Sequence, residues 1–372
     1  MVRRRPKRTF ADLLPNSAPQ NPHYVYLRAT QLEGTYPEDA GSWSVSAHRA
    51  LKAFGYLDVT EMPYKPIRKN QWPISIPDQL EPRARRNRIQ AYQRVRSAEE
   101  CVWALSRGCP PQVVVEATEG WRGVRDEIIE PPVANDAPPL LHAVQVVAYD
   151  ESLRAFVFAN SWGTDWGVEG FGRFSFDYLD ACLAEAWVKL PPATGIRDSL
   201  AALPRGVEKL RVTTWGREDL FKGFDPLADV LHAIEVWDGV NDEVLAWAFA
   251  ERRGLYLDVE ELFVMPTSRR QGLCRLLIGD LLRLSRGLRA PLRLWFPHAD
   301  SYPEGQAIRE AITRRLGVGL ARSDARWAGW VGCVGLESAA VRKPRWWSPS
   351  IGRPGGILSM AAPRGGSKVG DR

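Results

Sequence analysis

The sequence predicts an α+β protein built from two domains, and three observations carry that expectation. The runs HAVQVVAY and RAFVFAN, starting at His142 and Arg154, are apolar, rich in valine and phenylalanine and separated by a polar turn, the pattern of a β-hairpin. Further on, the apolar run LYLDVEELFVMP leads into the basic TSRRQGLC, after which Leu273, Leu276, Leu277, Leu281 and Leu284 fall at helical spacing. Between these two regions lies PPATGIRDSLAALPRGVEK, rich in proline, glycine and polar residues, which reads as a domain boundary at residues 191–207.

The bounds set by composition agree with this. A chain of 372 residues has room for about two domains, and a hydrophobic content of 45% is that of a folded protein. The formal charge of +6 is mild, and much of it sits in MVRRRPKR and in the tail after Glu337, which read as solvated ends rather than a nucleic-acid or membrane contact. No run of eighteen apolar residues occurs and no apolar signal core follows the basic start, so a cytoplasmic protein is expected. The five cysteines show no metal-ligand spacing and read as reduced thiols, with no metal implied. The expected layout is a first domain over residues 1–190, a linker at 191–207, a second domain at 208–335 and a disordered tail from 336 to 372.

In the first domain, folding the predicted hairpin about residue 151 or 152 brings His142 opposite Asn160 or Ser161. Side chains across such a pair lie about 5 Å apart, close enough for an amide to orient an imidazole. The continuous stretch from HAVQVVAYD to FVFANSWGTDWGVEGFGRF closely resembles the C-terminal half of the papain-like cysteine peptidases. That resemblance implies that His142 is a general base, that Asn160 orients it, and that Trp162 covers their hydrogen bond. Trp166, Gly167, Gly170 and Gly172 continue the family pattern, and the segment from His23 to Tyr64 resembles the family's helix and loop leading to a Pro-Tyr turn.

The family's nucleophile, a cysteine at the start of a long helix with a glutamine just before it, belongs ahead of HYVYLRA. The residues preceding His23 contain no cysteine, and the first in the chain is Cys101. Cys101 reads as part of an amphipathic helix capped near Ser97, Cys109 precedes a Pro-Pro pair, and Cys182 follows a turn. A reactive thiolate needs a helix N-terminus or a neighbouring cation, and nothing in the sequence supplies one to these residues. The expectation is therefore a papain-like domain without peptidase activity that still offers a peptide-binding groove. The alternatives are an active peptidase whose gene start is truncated, or a non-catalytic scaffold.

In the second domain HAIEVWDGVNDEVLAWAFAERRG reads as another hairpin, giving three strands before the basic loop. A strand, a short glycine-containing loop and a helix aim backbone N–H groups and the positive helix end at an anion. VMPTSRRQGLC resembles the acetyl-CoA motif of the Gcn5-related N-acetyltransferases (GNAT), so the predicted class is a papain-like domain followed by a GNAT-fold mixed α/β domain. The resemblance implies an acetyl-CoA-dependent N-acetyltransferase acting on an amine acceptor. Its cofactor would be held by Phe263 and Val264 at the strand end and by Arg269, Arg270, Gln271, Gly272, Leu273 and Cys274 in the loop, Cys274 standing where the family prefers Gly or Ala. Candidate bases are Glu260, Glu261 and Asp258, with Asp258 and Glu260 on one face by alternation, and the candidate acid is Tyr302. LRLWFPHAD and GQAIREAITRRLG read as the following strand and helix.

Overall fold

The computed structural model describes residues 20–39, 41–64, 72–132, 140–190, 195–198, 209–215, 231–238, 240–253, 255–297, 320–323 and 329–334. The expected helix at 305–317, Tyr302, the tail from 336 and most of the expected linker lie outside these residues. Within the linker, Gly195–Asp198 forms a strand.

The chain enters helix α1 (Pro22–Glu33) through Asn21, whose side chain accepts the Tyr24 N–H at 3.1 Å, while Pro22 supplies a preset φ at the first helical position. The helix stops at Gly34, left-handed at φ 77°. Helices α2 (Ser44–Ala53) and α3 (Glu81–Arg86) follow. Next come β1 (Tyr92–Arg94), α4 (Ala98–Ser106), capped by Ser97 as expected, β2 (Gln112–Ala117) and β3 (Ile128–Ile129). The hairpin is β4 (Leu140–Asp150) and β5 (Ala155–Ala159), and β6 (Phe171–Ser175), α5 (Phe176–Cys182) and β7 (Leu183–Lys189) complete the first sheet. The strand order is β1-β7-β2-β4-β5-β6-β3, antiparallel except for the last pair.

The turn between β4 and β5 is built by Asp150, whose Oδ1 accepts the N–H groups of Ser152 and Leu153 at 2.8 and 3.1 Å. The register differs from the sequence expectation. Asp150 pairs with Ala155 and, across an irregularity at Val146–Ala148, Gln145 pairs with Ala159. The ladder ends there, and its continuation sets Asn160 opposite Val144, diagonal to His142 rather than directly across from it.

A second antiparallel sheet runs through β8 (Gly195–Asp198), β9 (Lys209–Trp215), β10 (Leu231–Asp238), β11 (Glu243–Arg253) and β12 (Tyr256–Val264), each beside the next. A short 3-10 turn at Pro266–Ser268 precedes α6 (Leu273–Leu288), whose buried Leu273, Leu277, Ile278 and Leu281 form one face. β13 (Leu292–Pro297) follows. C-terminal of it, in a separate compact unit, β14 (Leu320–Ser323) pairs antiparallel with β15 (Gly329–Val334).

Up to Leu292 the chain is one compact unit, and its core is continuous from the first sheet into the second. Tyr92 of β1 sits edge-on to Phe249 of β11 at 4.9 Å between ring centroids, and its hydroxyl accepts the Trp247 indole N–H at 3.1 Å. Around this aromatic centre lies a seam of ion pairs. Lys52 of α2 bonds to Glu235 of β10, Arg49 of α2 to Glu261 of β12 at 2.8 Å, Arg96 to Glu260, and Arg253 to Glu100 of α4 at 3.1 Å. Both members of the Lys52–Glu235 pair are buried, so each charge depends on the other for compensation.

Candidate active site

His142 stands near the start of β4, and its Nε2 lies 2.9 Å from Asn160 Oδ1. The same oxygen accepts the backbone N–H of Ser161 at 2.8 Å, which identifies it as the amide carbonyl. An acceptor facing Nε2 requires that nitrogen to carry the hydrogen, so the lone pair of the neutral ring resides on Nδ1. Trp162 lies beside the imidazole, centroids 4.9 Å apart and planes inclined at 31°, and is itself 42% exposed. Trp121 meets the imidazole edge-on at 5.9 Å and 89°. The result is a base held by an amide, backed by two indoles, with His142 half-buried rather than sealed.

The glycines and aromatics of NSWGTDWGVEGFGRF have concrete jobs around this pair. Trp166 donates its indole N–H to the Trp121 carbonyl at 2.8 Å, fixing the segment that carries the second indole. Gly167 is left-handed at φ 61°, and a Cβ there would fall 2.2 Å from the Phe171 carbonyl oxygen, so no other residue fits. At Gly172 a Cβ would meet the rings of Trp166 and Phe158 at 2.5 and 2.6 Å. Trp121 was not singled out by the sequence, because EGWRG has neither motif nor periodicity to mark it. Its indole N–H donates to Tyr178, whose hydroxyl in turn donates to the Glu116 carbonyl, and this chain ties the site to β2.

No sulfur joins the pair among the described residues. Cys101 is fully buried, and its thiol is pushed well above the usual range by burial and by the nearby Asp180. Burial likewise raises Cys109 and Cys274, and Cys182, the last residue of α5, is buried. Burial thus disfavours the thiolate at Cys101, Cys109 and Cys274. Cys333 has no described side chain.

The residues expected around a phosphate cradle lie in two groups. Arg269, Arg270, Gln271 and Gly272 form an exposed loop, with Arg270 and Gly272 left-handed at φ 65° and 81°, ahead of buried Leu273 and half-buried Cys274. No atom lies within 4 Å of a Cβ placed on Gly272, so the loop is open on that side. Phe263 instead belongs to the core, tilted at 36° against Trp247 with centroids 4.7 Å apart and covered by the Arg49 guanidinium, and Val264 is half-buried.

The carboxylates of β12 also differ from simple alternation. Phe249 pairs with Glu261 and Ala250 with Val259, leaving Glu260 as the extra residue of a bulge. A bulge breaks the two-residue period, which is how Glu260 and Glu261 both reach arginines of the seam. Burial alone would raise Glu260, but Arg96, Arg253 and Arg94 outweigh it and hold the carboxyl below its usual range. Burial raises Glu261, opposed by Arg49. No helix among the described residues is long and apolar enough to cross a membrane.

Comparison with known proteins bears on the first of these sites. Residues 34–190 match the model of the papain family cysteine proteases. An uncharacterized peptidase C1-like protein of Acanthamoeba polyphaga mimivirus is 23% identical over 168 residues, 42% of this chain and 53% of that protein, so the chain spans about half the length of this curated relative. Among solved structures, xylellain, a cysteine protease from Xylella fastidiosa, is 23% identical with a TM-score of 0.42, covering 48% of this chain and 72% of that one. The bromelain protease of Ananas comosus is 21% identical with a TM-score of 0.33, over 47% of this chain and 79% of that one. Residues 34–190 form a papain-like C1 peptidase domain.

Proposed function

We propose that the chain carries the base-and-amide half of a thiol peptidase site, with His142 as base and Asn160 as its orienting partner. The observation that carries this reading is the Nε2–Asn160 hydrogen bond beneath Trp162, which leaves the Nδ1 lone pair to take a proton from a thiol. In such a reaction the thiolate attacks the peptide carbonyl, and the protonated imidazole then gives its proton to the leaving amine. The described cysteines do not provide the thiol, so the active form draws it from a segment outside residues 20–190. Without it, the groove binds peptide and does not cut it.

Sequencing the natural transcript for an in-frame extension that encodes a cysteine-bearing helix ahead of HYVYLRA tests this directly. The extended product should react with a thiol-directed epoxide at that cysteine and hydrolyse peptides, whereas the 372-residue chain should do neither. Robust cleavage by the 372-residue chain that depends on one of its own five cysteines would sink the reading.

For the second sheet we propose an acetyl-CoA site at residues 269–274. Three features favour it together: the bulge at Glu260 within the strand that leads to the loop, the open left-handed Gly272, and the positive end of α6. Arg269, Arg270 and the backbone from Gln271 to Cys274 would hold the pyrophosphate, and the bound donor would supply an acetyl group to an amine acceptor. Glu260 and Glu261, both occupied by arginines, are weak candidates for the base, so this reading is first one of binding. Calorimetric titration with acetyl-CoA tests it: Gly272→Val should abolish binding and Cys274→Gly should preserve it. Equal affinity for parent and Gly272→Val would exclude this loop.

A further inference from the structure

Between residues 255 and 292 the two signs of charge are sorted by depth. Every acidic side chain of this stretch is buried: Asp258, Glu260 and Glu261 on β12, and Asp280 on α6. The arginines of the same stretch, Arg269, Arg270, Arg275, Arg283, Arg286 and Arg289, are all exposed. Arg283 is held by Asp280 at 2.7 Å. Among the described residues, the side chains of Arg270, Arg275, Arg286 and Arg289 have neither an ion pair nor a hydrogen bond.

Helix geometry gathers these charges on one side of α6. At about 3.6 residues per turn and about 1.5 Å per residue, Arg275 and Arg286 stand on one line, three turns and roughly 16 Å apart, with Arg283 and Arg289 to either side. Gly279 falls between the two ends of that line. A Cβ placed there, or at Gly287, meets nothing within 4 Å, so the face is bare as well as positive.

The pattern selects among anionic ligands. A small anion spans too little to engage arginines three turns apart. A protein partner or a bilayer needs apolar or aromatic anchors, and among the described residues no large apolar side chain of α6 is exposed. A sugar-phosphate backbone is long, evenly charged and needs no such anchor, and guanidinium groups bind its oxygens through paired N–H donors. We propose that the outer face of α6 binds the phosphodiester backbone of a nucleic acid through Arg275, Arg286 and Arg289, without reading base sequence. The three arginines lie outside residues 269–274, so this binding is independent of the acetyl-CoA reading.

Fluorescence anisotropy of the full chain with a labelled duplex DNA of mixed sequence, titrated from about 50 to about 200 mM salt, tests it. The parent should bind, equally well to a duplex of scrambled sequence, with log affinity falling linearly against log salt. Arg275→Gln/Arg286→Gln should reduce that slope by about two and weaken binding at the lower salt by at least about tenfold. Its thermal unfolding should match the parent, since both side chains are exposed and unpaired. No binding by the parent, an unchanged slope in the variant, or capture of the parent by phosphatidylserine vesicles but not by DNA would overturn the proposal.

Discussion

At the scale of single residues, the imidazole of His142 is controlled by one amide. Asn160 Oδ1 receives both Nε2–H of the ring and the Ser161 N–H, so the amide is pinned by the backbone before it orients the base. Asn160→Ala removes the side chain that, among the described residues, accepts the ring's hydrogen and so sets its tautomer. In 15N NMR the parent should show His142 with its hydrogen on Nε2, and the variant should show a mixture of both tautomers, with about 1 kcal/mol of stability lost. An unchanged Nε2–H signature in the variant would mean that Trp162 and Trp121, rather than the amide, set the ring. At Gly172 the restriction is volume alone. Its neighbours Trp166 and Phe158 leave no room for a methyl group, so Gly172→Ala should cost about 1–3 kcal/mol in urea unfolding.

At the scale of elements, α2 joins the two sheets. Its Lys52 donates to the Gln90 carbonyl at 2.6 Å and to Glu235, all in the buried seam, while Arg49 one turn earlier takes Glu261. Lys52→Met should destabilise the protein by about 3–5 kcal/mol, because Glu235 is left as an uncompensated buried charge. Adding Glu235→Gln should recover a large part of that loss, and chemical denaturation of the single and double variants measures both. If the double variant is no better than the single one, the placement of the Lys52 ammonium over the Trp247 and Phe249 rings matters more than its pairing with Glu235. The bulge in β12 is the matching device on the other side, since it turns two consecutive glutamates toward arginines that a regular strand would offer only one of them.

At the scale of the whole molecule, the continuous core decides how the chain comes apart. Limited proteolysis should cut first within residues 191–207, where the sequence is rich in proline and glycine. The two fragments should nevertheless stay together through gel filtration, because the Tyr92, Trp187, Trp247 and Phe249 cluster spans both. Fragments that separate without denaturant would show that the two sheets fold independently.

How much was legible beforehand differs between the two sites. HAVQVVAYD and NSWGTDWG placed His142, Asn160 and Trp162 together, because a hairpin is a local structure and its pairing follows from the spacing of apolar residues about one turn. Even there the register moved, since an irregularity at Val146–Ala148 is invisible in a pattern of alternating apolar residues. The strand, loop and helix around Gly272 were legible for the same local reason. By itself, the sequence determined the hairpin that brings His142 and Asn160 together and the strand, loop and helix around Gly272. Only the tertiary structure decided that Glu260 and Glu261 bind Arg96 and Arg49, that Trp121 backs the imidazole, and that Glu251 meets Gln93. These partners lie far apart along the chain, and which charges are buried together depends on how sheets pack, a property that no local period encodes.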